Sequence, residues 1–332
     1  MNSTLTADEQ DAGRNLHGNG RTGDVWADRA FRGITLVAGF AVLAILGLIA
    51  YSTTKQAWPA FREEGLSFFT SKTWIPGEGK FGSLAFVYGT LVTSLIALVI
   101  AVPVSIGIAL FTTEVAPPRM RRPIIYVVDL LAAIPSVVYG LWGVKVFATW
   151  IAPHYQSIAN AVKGWPVLDA LFGEPVSGSG LSFFTAGIIL SFMITPIITA
   201  LTRETMATVA QDDKNAAIGM GATQWEMIRV AVFPRTRAGI VAAVMLGLGR
   251  AMGETIAVAL VVGSSHQITS HLFAPGDSMA AVIANEFGEA SGEHRAALIG
   301  LGVVLFLITI VVNAIARLVV RLTNRNMVGV TL

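Results

Sequence analysis

Residues 239–263 read GIVAAVMLGLGRAMGETIAVALVVG, and Arg250 and Glu254 are the only charges among them. As a helix, a run of this length crosses a bilayer core of about 30 Å. Arg250 then falls near the midplane, with Glu254 about 6 Å further along on the same helix face. A charge at that depth costs about 3 kcal/mol or more on insertion scales, so it points first to function. One reading is an internal ion pair that only joins helices. Against it, Arg before Glu is the weaker order for a helical pair, which contributes about 0.2–0.5 kcal/mol at best. A buried pair kept only for stability is also often improved by apolar replacement. The other reading is a site for an anion on the arginine. Gly249 and Gly253 form a small-xxx-small step, so the charges are expected to face a helix interface or a cavity.

Composition agrees with a membrane protein. Hydrophobic residues are 54% of the 332-residue chain and charged residues 13%, about half the charged content of a soluble domain. An all-α polytopic protein follows. The chain has no cysteine, which excludes disulfides and thiolate metal sites. Five further spans are expected at 33–51, 81–113, 123–151, 181–201 and 296–320. The second is longer than a straight span needs, which predicts a re-entrant or interfacial lead-in before a helix kinked at Pro103. The third holds Asp129 and Lys145, which are equally readable as internal partners and carry no assigned transport role. Arg317 lies close enough to the end of the last span to snorkel.

Basic residues orient the spans. Arg14, Arg21, Arg29 and Arg32 precede the first. Arg119, Arg121 and Arg122 join the second to the third, and Arg203, Lys214, Arg229, Arg235 and Arg237 join the fourth to the fifth. Arg317, Arg321 and Arg325 end the sixth. The opposite side carries only Lys55, Arg62, Lys72, Lys80, Lys163 and Arg295. Both termini are therefore expected in the cytoplasm. Residues 1–26 read as a disordered polar tail and 326–332 as a short C-terminal one. The first span lacks the flanks of a secretory signal. Between the third and fourth spans, Trp165, Val167, Leu168, Leu171 and Phe172 suggest either a short amphipathic helix at the membrane surface or a partly buried loop.

The stretch 203–234, RETMATVAQDDKNAAIGMGATQWEMIRVAVFP, is too long for a simple hairpin loop. Gln211, Asp212 and Asp213 can cap a helix over 214–220. Gly221 can end it at positive φ, and Thr223 can cap a second helix over 224–231 before Pro234 restarts the chain. Two short angled helices showing Ile218, Met220, Trp225 and Ile228 make either a docking knob for another protein or a hairpin packed on its own bundle.

Asn215-Ala216-Ala217, Gly221 and Phe233-Pro234 resemble the EAA loop of ABC-importer permeases, whose pattern is EAA-xxx-G-x9-I-x-LP. The chain departs from it at Asn215, Ala231 and Phe233. GLGRAMGET (247–255), IPSVVYGLWG (134–143) and YGTLVTS (88–94) resemble more narrowly the PstC family, permease subunits of high-affinity phosphate importers. The resemblance covers about 27–325. It implies a type I (MetI-like) importer domain of six helices in a prokaryotic plasma membrane. It also implies a homologous partner PstA, two ATPase subunits PstB and a phosphate-binding protein PstS.

The chain's own motifs agree. It has no P-loop to hold ATP, no H-E-x-x-H and no G-x-S-x-G, so no enzyme, metal or cofactor is expected. His266 and His271 read as loop histidines. In the implied alternating-access cycle, Arg250 offers a two-donor fork to phosphate oxygens. Glu254 accepts from a P–OH group or holds Arg250 in the absence of substrate. Ser136 and Tyr139 offer hydroxyls to the path, with Tyr139 equally readable as an interface aromatic. Two rivals remain from the residues alone: an ion-coupled secondary anion transporter, and a scaffold or sensor subunit.

Overall fold

The computed structural model describes residues 22–325. The expected disordered tail lies mostly outside the described residues, but its last part already belongs to helix α1, Thr22–Glu64. The C-terminal tail lies outside them as well. The chain divides between Ser52 and Thr53 into two compact units. The described part of the first is the apolar stretch of α1, whose side chains such as Leu43 and Leu48 are exposed. A helix apolar all round suits a lipid environment.

In the second unit, a short helix α2 (Ser67–Thr70) leads to a hairpin of β1 (Trp74–Ile75) and β2 (Lys80–Phe81), antiparallel with Trp74 opposite Phe81. The second span follows as α3 (Leu84–Leu110), extended by a π-helical turn to Val115. The re-entrant lead-in is therefore corrected. The span is helical from Leu84 to Val115, and its excess length carries it to the connection at 203–234.

The third span is not one straight helix. α4 (Pro118–Ala133) and the helical run Ser136–Val162 meet at 89°. That run comprises α5 (Ser136–Trp142), a π turn and α6 (Ala148–Val162). Pro135 has no N–H for the ladder and excludes a helical Ile134, whose ψ is 125°. The amphipathic segment forms α7 (Pro166–Phe172), starting on a proline at its first turn.

α8 (Phe183–Ala207) is the fourth span and the most buried, capped by Ser182 Oγ accepting from Thr185 N–H at 3.1 Å. α9 (Gln211–Gly219) and α10 (Gln224–Met227) form the connection, a π turn leads into α11 (Phe233–Gly253), and α12 (Ile256–Val261) follows a break. α13 (Met279–Glu286) and α14 (Gly292–Arg325) complete the described residues. Five helices, or six counting the bent pair, are long and apolar enough to cross a membrane among the described residues.

Three clusters hold the unit. The central one joins Ala97 and Ala101 of α3, Ile189, Ile194 and Ile198 of α8, Ala243 of α11 and Val258 of α12. A second packs Phe68, Trp74, Phe81 and Phe86 on Val282 and Leu301 at the hairpin end. A third packs Ala109, Met206, Ala217, Met227 and Val232 at the connection end.

Candidate functional site

The quoted run 239–263 breaks where its two charges sit. α11 ends at Gly253, Glu254 is extended (φ −69°, ψ 126°), and α12 begins at Ile256. The expectation of a continuous helix with Arg250 and Glu254 on one face is thus corrected. Gly253 weakens the helix, and the acid and threonine that follow satisfy the backbone it releases. Glu254 Oε1 accepts from Ala257 N–H at 3.4 Å, and Thr255 Oγ1 donates to the Gly253 carbonyl at 3.2 Å. Non-helical backbone at membrane depth is tolerated where protein buries it or where it lines a cavity.

The second broken span meets the first here. A Cβ on Gly140 would lie 2.9 Å from Ala257 Cα, and one on Gly143 would lie 2.7 Å from Val261 Cγ1. Gly140 is therefore required by close approach of α5 to α12. Tyr139, buried, donates its hydroxyl to the Leu131 carbonyl at 2.9 Å. That bond bridges the α4–α5 break, so the tyrosine is a brace of the bend. Ser136 opens α5 and is partly buried.

Arg250 is exposed and forms no ion pair among the described residues, and Glu254 does not hold it. It lines a groove of about 930 Å³ with Ala238, Val241, Ala242, Met245 and Gly249 of α11, Ile197 of α8, and Asn313, Ala316 and Arg317 of α14. Asn313 was not singled out from sequence, and Arg317 was read there only as a span-end arginine. Only an Asn-x-x-x-Arg spacing at the end of an apolar span signalled them. Asp129 and Lys145 are exposed and do not pair with each other.

The connection is both packed and exposed. Ala217, Met227 and Ile228 are buried on their own bundle, which corrects Ile228 as a knob residue. Ile218, Met220 (83% exposed) and Trp225 form the open crest. Gly221 turns at φ +89° with open space around it, so conformation alone demands glycine. Thr223 and Glu226 make the reciprocal capping box, with Thr223 N–H to Glu226 Oε2 at 2.8 Å. Two expectations are corrected. Ala210, not an acid, occupies the first N-cap, although Asp212 and Asp213 sit in that first turn. Helix also runs without a break from Gln224 to Gly253. The π turn over Ile228–Val232 widens the ladder before Pro234, which donates no bond. Asn215 accepts from Gln211 at 3.2 Å, and Ala216 is exposed.

An ion pair the sequence did not reveal anchors this hairpin. Lys214 Nζ lies 2.7 Å from Glu114 Oε1 at the end of the second span, with side chains 11% and 5% exposed. Gln224 Nε2 donates to the Glu114 carbonyl at 2.8 Å, and Arg235 pairs with Asp213. At the hairpin end, His266 lies 3.5 Å from buried Asp277 and 4.0 Å from Glu286. Asp277 raises the His266 pKa above its usual value, against the opposing effect of burial. His294 and Trp74 both engage Glu286, at 2.8 and 3.0 Å. His271 sits in the loop leading to α13, its Nδ1 buried. Among the described residues no group of three His or acidic side chains converges as a metal site.

Broken spans of membrane length, a groove-lining arginine with no ion pair among the described residues and an exposed helical hairpin are features that suit a transmembrane transport subunit. The model of the family "binding-protein-dependent transport system inner membrane component" matches residues 101–327. The phosphate transport system permease protein PstC of Mesorhizobium japonicum is 47% identical over 292 residues, covering 87% of this chain and 89% of that protein. PstC of Xylella fastidiosa is 42% identical over 328 residues, 98% of this chain and 99% of that one. The chain belongs to this inner-membrane family, in its PstC branch. In a solved bacterial ABC transporter involved in import of the polysaccharide alginate, one chain superposes with TM-score 0.52 at 19% identity, over 90% of this chain and 98% of that one. That likeness carries the importer-type fold.

Proposed function

We propose that this chain is the phosphate-translocating permease subunit of an ATP-driven importer, with residues 27–325 as its permease unit. It forms half of an alternating-access path with a PstA-type partner. Two PstB-type ATPases supply hydrolysis, and a PstS-type binding protein delivers phosphate. The basic residues at the connection end, with Arg203, Arg229 and Arg237 beside the hairpin, support a cytoplasmic hairpin and cytoplasmic termini.

The observation that carries the reading is Arg250, a guanidinium in the last turn of a helix of membrane length, with no carboxylate partner among the described residues and lining a groove, in a chain of this family. Its planar fork matches two oxygens of a tetrahedral oxyanion. Glu254 caps α12 and so fixes where α11 ends. When substrate arrives, its second oxygen is the acceptor available to a P–OH group. Ser136 offers a hydroxyl from the facing broken span, while Tyr139 holds that span's bend. The crest of Ile218, Met220 and Trp225, turned on Gly221, meets the ATPase. Asn215, Ala216, Ala217 and Pro234 build the surface behind it.

The test is ATP-driven uptake of radiolabelled phosphate into proteoliposomes holding the whole complex. Arg250→Ala is expected to abolish uptake with the complex still assembled, and Arg250→Lys to recover little. Uptake near the parental rate in Arg250→Ala would remove Arg250 from the path.

A further inference from the structure

We propose that Arg317, with Asn313 beside it, is a second station for the transported oxyanion in the same groove as Arg250. The inference rests on the proposed role of Arg250. α14 enters the bundle at the hairpin end, where Leu298 and Leu301 pack with Trp74 and Phe81. α11 starts at the opposite end, where Val232 packs with Ala217. The two helices are therefore antiparallel, and Arg317 is the lining residue of α14 nearest the connection end. The α11 wall runs from Ala238 to Arg250, about 18 Å along a helix. An anion leaving Arg250 toward the connection end passes Arg317.

Snorkelling explains a lone arginine near a span end. It does not explain two guanidinium groups lining one groove whose other walls are Ala238, Val241, Met245 and Ile197, with no acidic side chain among its lining residues. Neither arginine forms an ion pair among the described residues. An oxyanion moving along the groove meets each guanidinium in turn. Asn313 gives its amide N–H to the Thr309 carbonyl at 2.9 Å, which leaves its Oδ1 as an acceptor for a P–OH hydrogen. A phosphate-type oxyanion can come from the transported ion or from a lipid headgroup. The groove is shared with Arg250, which favours the transported ion.

The chain has no cysteine, so Arg317→Cys can be read by thiol chemistry in a complex assembled from cysteine-free partners. Uptake of radiolabelled phosphate is measured in vesicles of phosphatidylcholine alone and of phosphatidylcholine with phosphatidylglycerol. Arg317→Cys is expected to lower the maximal rate about tenfold, roughly 1.4 kcal/mol. The half-saturating phosphate concentration should change by less than about twofold, because capture precedes this station. An aminoethyl thiosulfonate, which leaves an ammonium on the cysteine, restores uptake, and a neutral methyl thiosulfonate does not. The same pattern is expected in both lipids.

Three results overturn the proposal: parental uptake by Arg317→Cys, rescue by the neutral reagent, or a defect confined to anionic vesicles, which assigns the site to a headgroup. If Arg317→Cys fails to assemble, Arg317→Lys decides. A several-fold slower maximal rate supports the station, and a parental rate reduces Arg317 to a helix anchor. Loss of uptake in Arg250→Ala with parental Arg317→Cys sinks only this station. Parental uptake in Arg250→Ala sinks the underlying path.

Discussion

Removing the cation of the Lys214–Glu114 pair should release the hairpin of α9 and α10 from the bundle. The two charges are 2.7 Å apart, with only 11% and 5% of their side chains exposed, so solvent screens them little. Lys214→Met strands a buried carboxylate, and breaking one side of such a pair costs about 3–5 kcal/mol. At about 3 kcal/mol the opening equilibrium of the hairpin rises roughly 150-fold. The bond from Gln224 ends on the Glu114 backbone carbonyl and survives every variant here, so the change reports the pair. The assay is amide hydrogen exchange over 211–224 in the purified complex, for Lys214→Met, Glu114→Gln and the two together. Each single variant should exchange much faster than the parent. The double should exchange more slowly than the product of the singles predicts, because it strands no charge. Parental exchange in Lys214→Met, or strictly additive effects, would refute the claim that this pair holds the hairpin.

Gly221→Val forces a β-branched residue to φ +89°, a strain of about 1–3 kcal/mol. ATPase co-purification or coupled uptake should fall with the bundle intact, and full coupled uptake with normal ATPase binding would refute the docking role. Gly140→Val places carbon 2.9 Å from Ala257 Cα and should lower the melting temperature in detergent by the equivalent of about 1–3 kcal/mol; an unchanged melt counts against the close α5–α12 contact. His266 has a folded pKa raised by Asp277, so its stabilisation is fully present below the unfolded pKa and fades as pH rises through the folded one. The melting difference between the parent and His266→Gln should be largest near about pH 5.5, below the usual histidine value, and shrink as pH rises above it, and a difference that grows with pH would contradict the assignment.

The spans and their order were legible because apolar length is a local property. So were the turn at Gly221 and the Thr223 cap, since both depend on residues within one turn, whereas the Glu226 half of the capping box was not singled out. The break after Gly253 was not. Gly253, Glu254 and Thr255 weaken a helix only modestly, and what makes the break stable is α12 seated against Gly140 of another span. The 89° bend had a local cause in Pro135, yet a proline inside a membrane helix is often accommodated without a break, as at Pro196 of α8. The Lys214–Glu114 pair joins residues a hundred positions apart, beyond any periodicity. Arg317 carried a sufficient bland explanation in snorkelling, and only its place beside Arg250 in one groove sets it apart.

The breaks also divide the site into parts with different attachments. From Gln224 to Gly253 the helix is continuous. Arg250 therefore rides on the same rod as Trp225 of the crest, with Met227 and Val232 bedded in the connection-end cluster. α12, beyond the break, is seated on α5 and α8 through Gly140, Gly143 and Ile189. In the proposed cycle a displacement of the crest reaches Arg250 as rigid-body motion of α11, while α12 stays with the central cluster and Glu254 marks the joint between them. Gly221→Val and Gly140→Val then probe opposite sides of that joint. The first should lose ATPase docking or coupling, whereas the second should leave ATPase docking in place. Identical phenotypes from the two would mean that the broken span moves as one piece, and the division at Glu254 would have no mechanical meaning.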